Sequence, residues 1–145
     1  MRKIVITILV VIVLACLGCI GYGAWRLVNS ISGSDHLHIT RVEKSSLTIY
    51  WNSVNDYKLL WTIKVTVNSG SEDIASGRTK LVINLFDSNG RYDTEQKDDL
   101  GILTKGWEAD YRLNFIVDQN YGSNQYAEVI LYLDGKQVDN AVIHF

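Results

Sequence analysis

The feature that most constrains this chain is its division into two dissimilar parts. Residues 4–28 read IVITILVVIVLACLGCIGYGAWRLV and carry no charge before Arg26. As a helix rising about 1.5 Å per residue the run is roughly 37 Å long, against a bilayer hydrocarbon core of about 30 Å, so it can span with some tilt. Arg2 and Lys3 precede it, and the polar stretch 29–35 (NSISGSD) follows. Beyond that the hydrophobic pattern takes a period of two, the period of strands. The expected organisation is therefore a transmembrane signal anchor or signal peptide over 1–28, a linker over 29–35 and a β-rich domain over 36–145.

Three readings fit the first segment. As an uncleaved signal anchor, Arg2 and Lys3 hold the N-terminus in the cytoplasm by the positive-inside bias, and the domain emerges outside. Tyr22 and Trp25 then fall at the outer interface, where aromatic belts lie. As a lipoprotein signal, Val13-Leu14-Ala15-Cys16 loosely resembles a lipobox with Cys16 as the lipidated residue. As an ordinary signal peptide, cleavage follows Gly23, with Gly21 and Gly23 as the small residues. All three place the domain outside the cytoplasm, and the first makes the chain a single-pass protein of the cell membrane. Ala15, Cys19 and Gly23 recur at four-residue spacing and share one helix face. Such faces let membrane helices approach closely, which would allow a homo-oligomer through the helix; small residues are also common in any membrane helix.

Charge is divided as sharply as hydropathy. Of the 14 basic residues, Arg2, Lys3 and Arg26 lie in the first part, while all 16 acidic residues lie from Asp35 onward. The domain is therefore net acidic. An acidic domain without a basic stripe argues against nucleic acid as a partner, and against the domain lying flat on anionic lipid. Both cysteines, Cys16 and Cys19, lie inside the apolar run, so no disulfide staples the domain and no cysteine metal site exists there. No Asn-x-Ser/Thr acceptor occurs in the sequence. Together these features lean toward a bacterial envelope protein.

The domain reads as a series of short strands. Leu37 and Ile39 open the first, and Leu47, Ile49 and Trp51 alternate with Thr48 and Tyr50 in the next, with a turn expected at residues 43–46. Trp61, Ile63, Val65 and Val67 alternate with Thr62, Lys64 and Thr66. Residues 81–86 (LVINLF) suit a central strand, closed by the Asn-Gly hairpin signal at Asn89-Gly90, with a polar edge strand returning over 91–95. Trp107, Ala109, Tyr111, Leu113, Phe115 and Val117 are expected inward, and Glu108, Asp110, Arg112 and Asn114 outward. A last pair over 126–133 and 137–145 is joined across Asp134-Gly135. Seven or eight strands without helical periodicity predict an all-β, antiparallel, immunoglobulin-like β-sandwich, preceded by one N-terminal transmembrane or signal helix. The Cys…Trp…Cys pattern of true immunoglobulin domains is absent.

At Ile83-Asn84-Leu85-Phe86-Asp87 the chain resembles the FxLYD family, small extracytoplasmic β-sandwich domains named for Phe-x-Leu-Tyr-Asp. Leu85 and Asp87 match, while Ile83 stands for the Phe and Phe86 for the Tyr. Asn68-Ser69-Gly70 after the preceding strand and Asp87-Ser88-Asn89-Gly90 after the motif fit the same pattern. Leu103-Thr104-Lys105-Gly106 resembles the family's later Leu-x-Pro-Gly turn, with Lys105 in place of Pro. The resemblance covers residues 60–117. It implies the sandwich and an envelope location, and no catalytic residues. Physically the motif reads as structural: Leu85 in the core, and Asp87 bonded to the backbone of the turn that follows.

His36 and His38 share a strand face and could supply two metal ligands, with Asp35 or His144 as a third; a solvated edge near the linker is the simpler reading. Asp87, Asp93, Glu95, Asp98 and Asp99 form the densest acidic segment. An EF-hand register begun at Asp87 puts Tyr92 where Gly is required, so that motif fails, and a charged edge is the simpler reading. Tyr50, Tyr57, Tyr121 and Tyr126 could form an aromatic platform for an envelope protein or glycan, and residues 121–126 (YGSNQY) have a paratope-like composition. No Gly-x-Ser-x-Gly elbow, His-Glu-x-x-His, phosphate loop or dinucleotide fingerprint occurs. The expectation is a membrane-tethered binding or accessory module with no enzymatic activity and no cofactor. Two alternatives are an envelope hydrolase or metal-dependent enzyme using His36/His38 or Glu108/Asp110, and a single-pass accessory subunit acting through its membrane helix.

Overall fold

The computed structural model describes residues 35–53, 56–118 and 124–145, and the side chains of all of these but 50–53 and 56. The apolar run, with Ala15, Cys16, Cys19 and Gly23, lies outside the described residues, as does Tyr121. Among the described residues no helix is long and apolar enough to cross a membrane.

Seven antiparallel strands form two sheets: β1 (His38–Ser53), β2 (Asp56–Asn68), β3 (Thr79–Asp87), β4 (Gly90–Lys97), β5 (Glu108–Asp118), β6 (Tyr126–Leu133) and β7 (Lys136–His144). One sheet has the order β1-β2-β5 and the other β4-β3-β6-β7. The chain crosses from sheet to sheet between β2 and β3, β4 and β5, and β5 and β6. The sheets share one core, so the fold is a β-sandwich. Ile63, Val65, Val67, Phe115 and Val117 enter it from the first sheet, and Leu81, Ile83, Leu85, Val129 and Leu131 from the second. The alternation that places them is legible in β3, whose residues are buried and half-buried by turns. The polar strand β4 forms an edge and is exposed along nearly all its length.

Two sequence expectations are corrected. First, there is no turn at residues 43–46. β1 runs straight through, with Glu43 opposite Lys64, Lys44 opposite Ile63, Ser45 opposite Thr62 and Ser46 opposite Trp61. The apparent break in pattern is a register shift between Ile39 and Arg41. The extra residue moves the inward positions from odd to even numbers, so Ile39 and Val42 are both buried while Leu47 faces outward. Glu43 and Lys64 pair at 2.5 Å on the outer face, which accounts for the polar residues there without a turn. Second, Trp107 is 72% exposed rather than inward. β5 begins at Glu108, so Trp107 sits just beyond the regular strand, where alternation no longer decides its direction.

The open sides of the sandwich are closed by polar clasps. On one, the Ile39 amide of β1 donates to the Asp139 carboxylate of β7 at 2.7 Å. On the other, the Tyr92 hydroxyl of β4 donates to Asp118 of β5 at 3.2 Å. The edge strand β1 carries a further device. Lys44 occupies an inward register position, and its ammonium lies 3.6 Å from the Trp61 ring centroid and 4.3 Å from that of Phe145. Those two rings meet edge to face at 5.1 Å. Burial pushes the Lys44 pKa below its ordinary value. Two effects oppose each other here: a cation–π contact gives back about 0.5–2 kcal/mol, while desolvation of the ammonium costs energy. An inward charge on an edge strand also makes added strands unwelcome.

Lys44→Val should therefore change the unfolding free energy by no more than about 1 kcal/mol while removing that guard. Size-exclusion chromatography with light scattering should show concentration-dependent association of the variant. Elution and mass identical to the unmodified protein at every concentration would rule out the edge-guarding role.

Candidate functional site

The register separates the sandwich into two ends. The chain joins the domain at Asp35, and the end where it does so is built from residues 35–37, 69–78, 98–107 and the Asp134-Gly135 turn. This proximal end is tightly tied. The Ser71 amide donates to the Asp35 carbonyl at 2.9 Å, and its hydroxyl donates to the same oxygen at 2.8 Å. Gly70 makes the approach possible: at φ +77°, an added Cβ would lie 2.6 Å from the Asp35 carbonyl oxygen. Ile74 and Leu103 exchange two backbone hydrogen bonds of 2.9 Å, and the Lys105 amide donates to Asp73 at 2.7 Å.

A cavity of about 120 Å3 opens at this end. Its walls are apolar at Leu37, Ile74, Leu133 and Val138, with Glu72 and Arg78 supplying charge. Arg78 grips Asp134 through two hydrogen bonds, 2.9 and 2.5 Å long. Hydrogen bonding from Arg78 is the main cause that holds the Asp134 carboxyl below the usual carboxylate range. Asp99 is held low in the same sense, first by the Ser76 hydroxyl and then by backbone amides of Gly77 and Gly101.

The distal end gathers the end of β1, the start of β2, the β3–β4 turn and the start of β6. On the outward face of the three-stranded sheet the rungs nearer the proximal end are polar: the Thr66 hydroxyl donates to Asp110 and the Thr62 hydroxyl to Asn114, each at 2.7 Å. The next rung changes character. Leu47, Leu60 and Ile116 line up across β1, β2 and β5, with Leu47 62% and Ile116 49% exposed. On the outward face of the other sheet, Phe86, Tyr126 and His144 form a cross-strand row. Phe86 and Tyr126 stack at 4.8 Å, and His144 lies 5.5 Å from Tyr126 on the other side. Because β6 lies between β3 and β7, the Tyr126 ring has an aromatic neighbour on each side.

The residues singled out from sequence distribute over these ends. Tyr50 and Tyr57 are paired by register near the β1–β2 connection, and Tyr126 sits at the same end on the opposite sheet. His36 lines the proximal cavity, and His38 Nδ1 lies 2.7 Å from the His36 carbonyl oxygen. His144 is at the other end of the sandwich, so the structure does not bring the three histidines together. Glu108 and Asp110 face outward on β5, with Asp110 receiving the Thr66 hydroxyl and lying 3.8 Å from the Lys64 ammonium. Neither lines the cavity. Among the described residues no three His, Cys, Asp or Glu side chains are grouped to hold a metal ion. Within the FxLYD-like motif, Leu85 is fully buried and Asp87 accepts the Asn89 amide at 2.7 Å. Sequence reasoning missed the apolar rung and the Phe86–Tyr126–His144 row. Both arise from strand register, which no local pattern reveals.

No family model matches the chain, and no curated protein sequence does. Among solved structures, the X-ray structure of a Northeast Structural Genomics Consortium target, SoR45, is similar at 20% identity with a TM-score of 0.42, covering 72% of this chain and 83% of that one.

Asp134 provides a test of how the proximal end is held. Its folded-state pKa is depressed, so its contribution is complete above the ordinary carboxylate range and is lost as pH falls through the depressed value. Asp134→Asn should flatten the acid limb of a Tm-against-pH curve. A variant whose acid limb overlays that of the unmodified protein would show that the pair contributes nothing.

Proposed function

We propose that this chain is a membrane-tethered extracytoplasmic binding or accessory module of a bacterial envelope, and that it binds through its distal end. The observation that carries the reading is the polarity of the sandwich. The chain reaches the domain at Asp35, at one end, while the outward apolar rung Leu47–Leu60–Ile116 lies toward the other. Anchored through residues 4–28, the domain would hold that rung away from the bilayer. Apolar side chains in a cluster rimmed by polar groups are what a protein partner covers.

The finer architecture belongs to the same proposal. The strand orders β1-β2-β5 and β4-β3-β6-β7, with three crossings between sheets, support an immunoglobulin-like arrangement in which the fourth strand joins the second sheet. The buried Leu85 and the turn-capping Asp87 support the FxLYD-like resemblance as a structural signature. A sandwich of this kind acts as an adaptor, presenting a rigid face at a fixed height above the membrane.

The test uses the full chain in lipid nanodiscs, mixed with detergent-solubilised envelope proteins. Leu47→Asp and Ile116→Asp alter exposed side chains and should leave folding intact. They should abolish capture of whatever partner the unmodified protein retains, while replacement of residues 4–28 by an unrelated anchor should leave capture unchanged. Capture that survives both aspartates and disappears on anchor replacement would place the function in the membrane segment instead.

A further inference from the structure

We infer that the proximal end of the sandwich is a second interaction surface, and that its occupant is the lipid interface of the membrane in which the chain is anchored. This rests on the tethered reading above. The loop that closes the proximal end reads Ile102-Leu103-Thr104-Lys105-Gly106-Trp107. Its Leu103 is buried and bridged to Ile74, which locks the loop against the core. Ile102 and Trp107 are thereby turned out, at 77% and 72% exposure, the two most exposed large apolar side chains among the described residues. Val138, 41% exposed, lies at the same end beside the cavity.

Chain length and position identify what covers them. Asp35 leaves the domain at this end, bonded to Ser71. Residues 29–34 then span at most roughly 20 Å at about 3.3–3.6 Å per residue before the apolar run begins. A domain held on so short a leash keeps its proximal end close to the headgroups, so even weak contacts form at high effective concentration. Indole is the side chain that settles at a membrane–water interface, and Lys105 beside it can reach lipid phosphates. The end is also electrostatically prepared despite its acidic residues. Asp134 is paired with Arg78 and Asp98 with Lys80, while Asp73 accepts the Lys105 amide and Asp99 the Ser76 hydroxyl. Four carboxylates at this end are thus engaged by groups of the domain itself, while Asp35, Glu72 and Glu108 are exposed.

Two tryptophans make the contact separable from the tether. The full chain is reconstituted into phosphatidylcholine vesicles whose acyl chains are brominated near the headgroups, and tryptophan emission is read. The Trp107→Phe chain, compared with the Trp25→Phe/Trp107→Phe double variant, reports Trp25, hence the anchor. The Trp25→Phe chain, compared with the Trp25→Phe/Trp107→Phe double variant, reports Trp107, since Trp51 and Trp61 are common to both. The inference predicts lipid quenching of Trp25, and a second lipid-quenched emission in Trp25→Phe that is lost in the double variant. Quenching of Trp25 without any from Trp107 would overturn the lipid contact and leave the tether standing. Quenching of neither would overturn the tethered reading, and the lipid contact with it.

Discussion

Everything in this domain depends on a single apolar layer shared by two sheets. The outer faces are largely polar: the three-stranded sheet turns Thr62 and Lys64 outward, and β4 of the other sheet is exposed along nearly all its length. The inner faces therefore meet, and Ile63, Val65 and Phe115 interdigitate with Leu81, Ile83, Val129 and Leu131. Full burial of each such side chain is worth about 1.5–3 kcal/mol, whereas an exposed ion pair such as Lys58–Asp118 contributes about 0–1 kcal/mol. The core decides that the chain folds; the pairs and clasps decide how its sides and ends are finished. A core of this kind needs no disulfide, and the domain has no cysteine.

Function follows from what the core leaves outside. Once the even-numbered positions of β1 from Val42 to Ser46 are committed inward, Leu47 has to face solvent, and antiparallel register sets it beside Leu60 and Ile116. Once Leu103 is drawn into the core, Ile102 has to face away from it. The two exposed apolar surfaces thus lie toward opposite ends because the strands between them run the length of the sandwich. The proposal of a partner for one surface and the membrane for the other rests on that separation.

Most of the architecture was legible in the sequence because it rests on local signals. Period-two runs marked β2 and β5, an apolar run marked β3, and Asn89-Gly90 and Asp134-Gly135 marked two hairpins. The central place of β3 followed from its apolar character, and the edge place of β4 from its polarity. What was not legible depends on single-residue events. One extra residue near Thr40 reversed the facing of β1, and residues 43–46, without glycine, asparagine or aspartate, proved to be strand rather than turn. The start of β5 at Glu108 released Trp107 from the alternation that would have buried it. The candidate surfaces were hidden for the same reason: cross-strand rungs and rows are products of register, and residues of a rung such as Leu47 and Ile116 are far apart in the chain.

The central claim is that stability resides in the inner strands that carry the shared layer. Native-state hydrogen exchange on the full chain tests it most directly, because it reports opening strand by strand. Amides of β2, β3 and β6, each flanked on both sides by other strands, should exchange together and slowest, through global unfolding. Amides of β4 should exchange earlier, through local opening. If β4 were as protected as β3, or if β3 and β6 opened before it, the shared core would not be what holds the two sheets together.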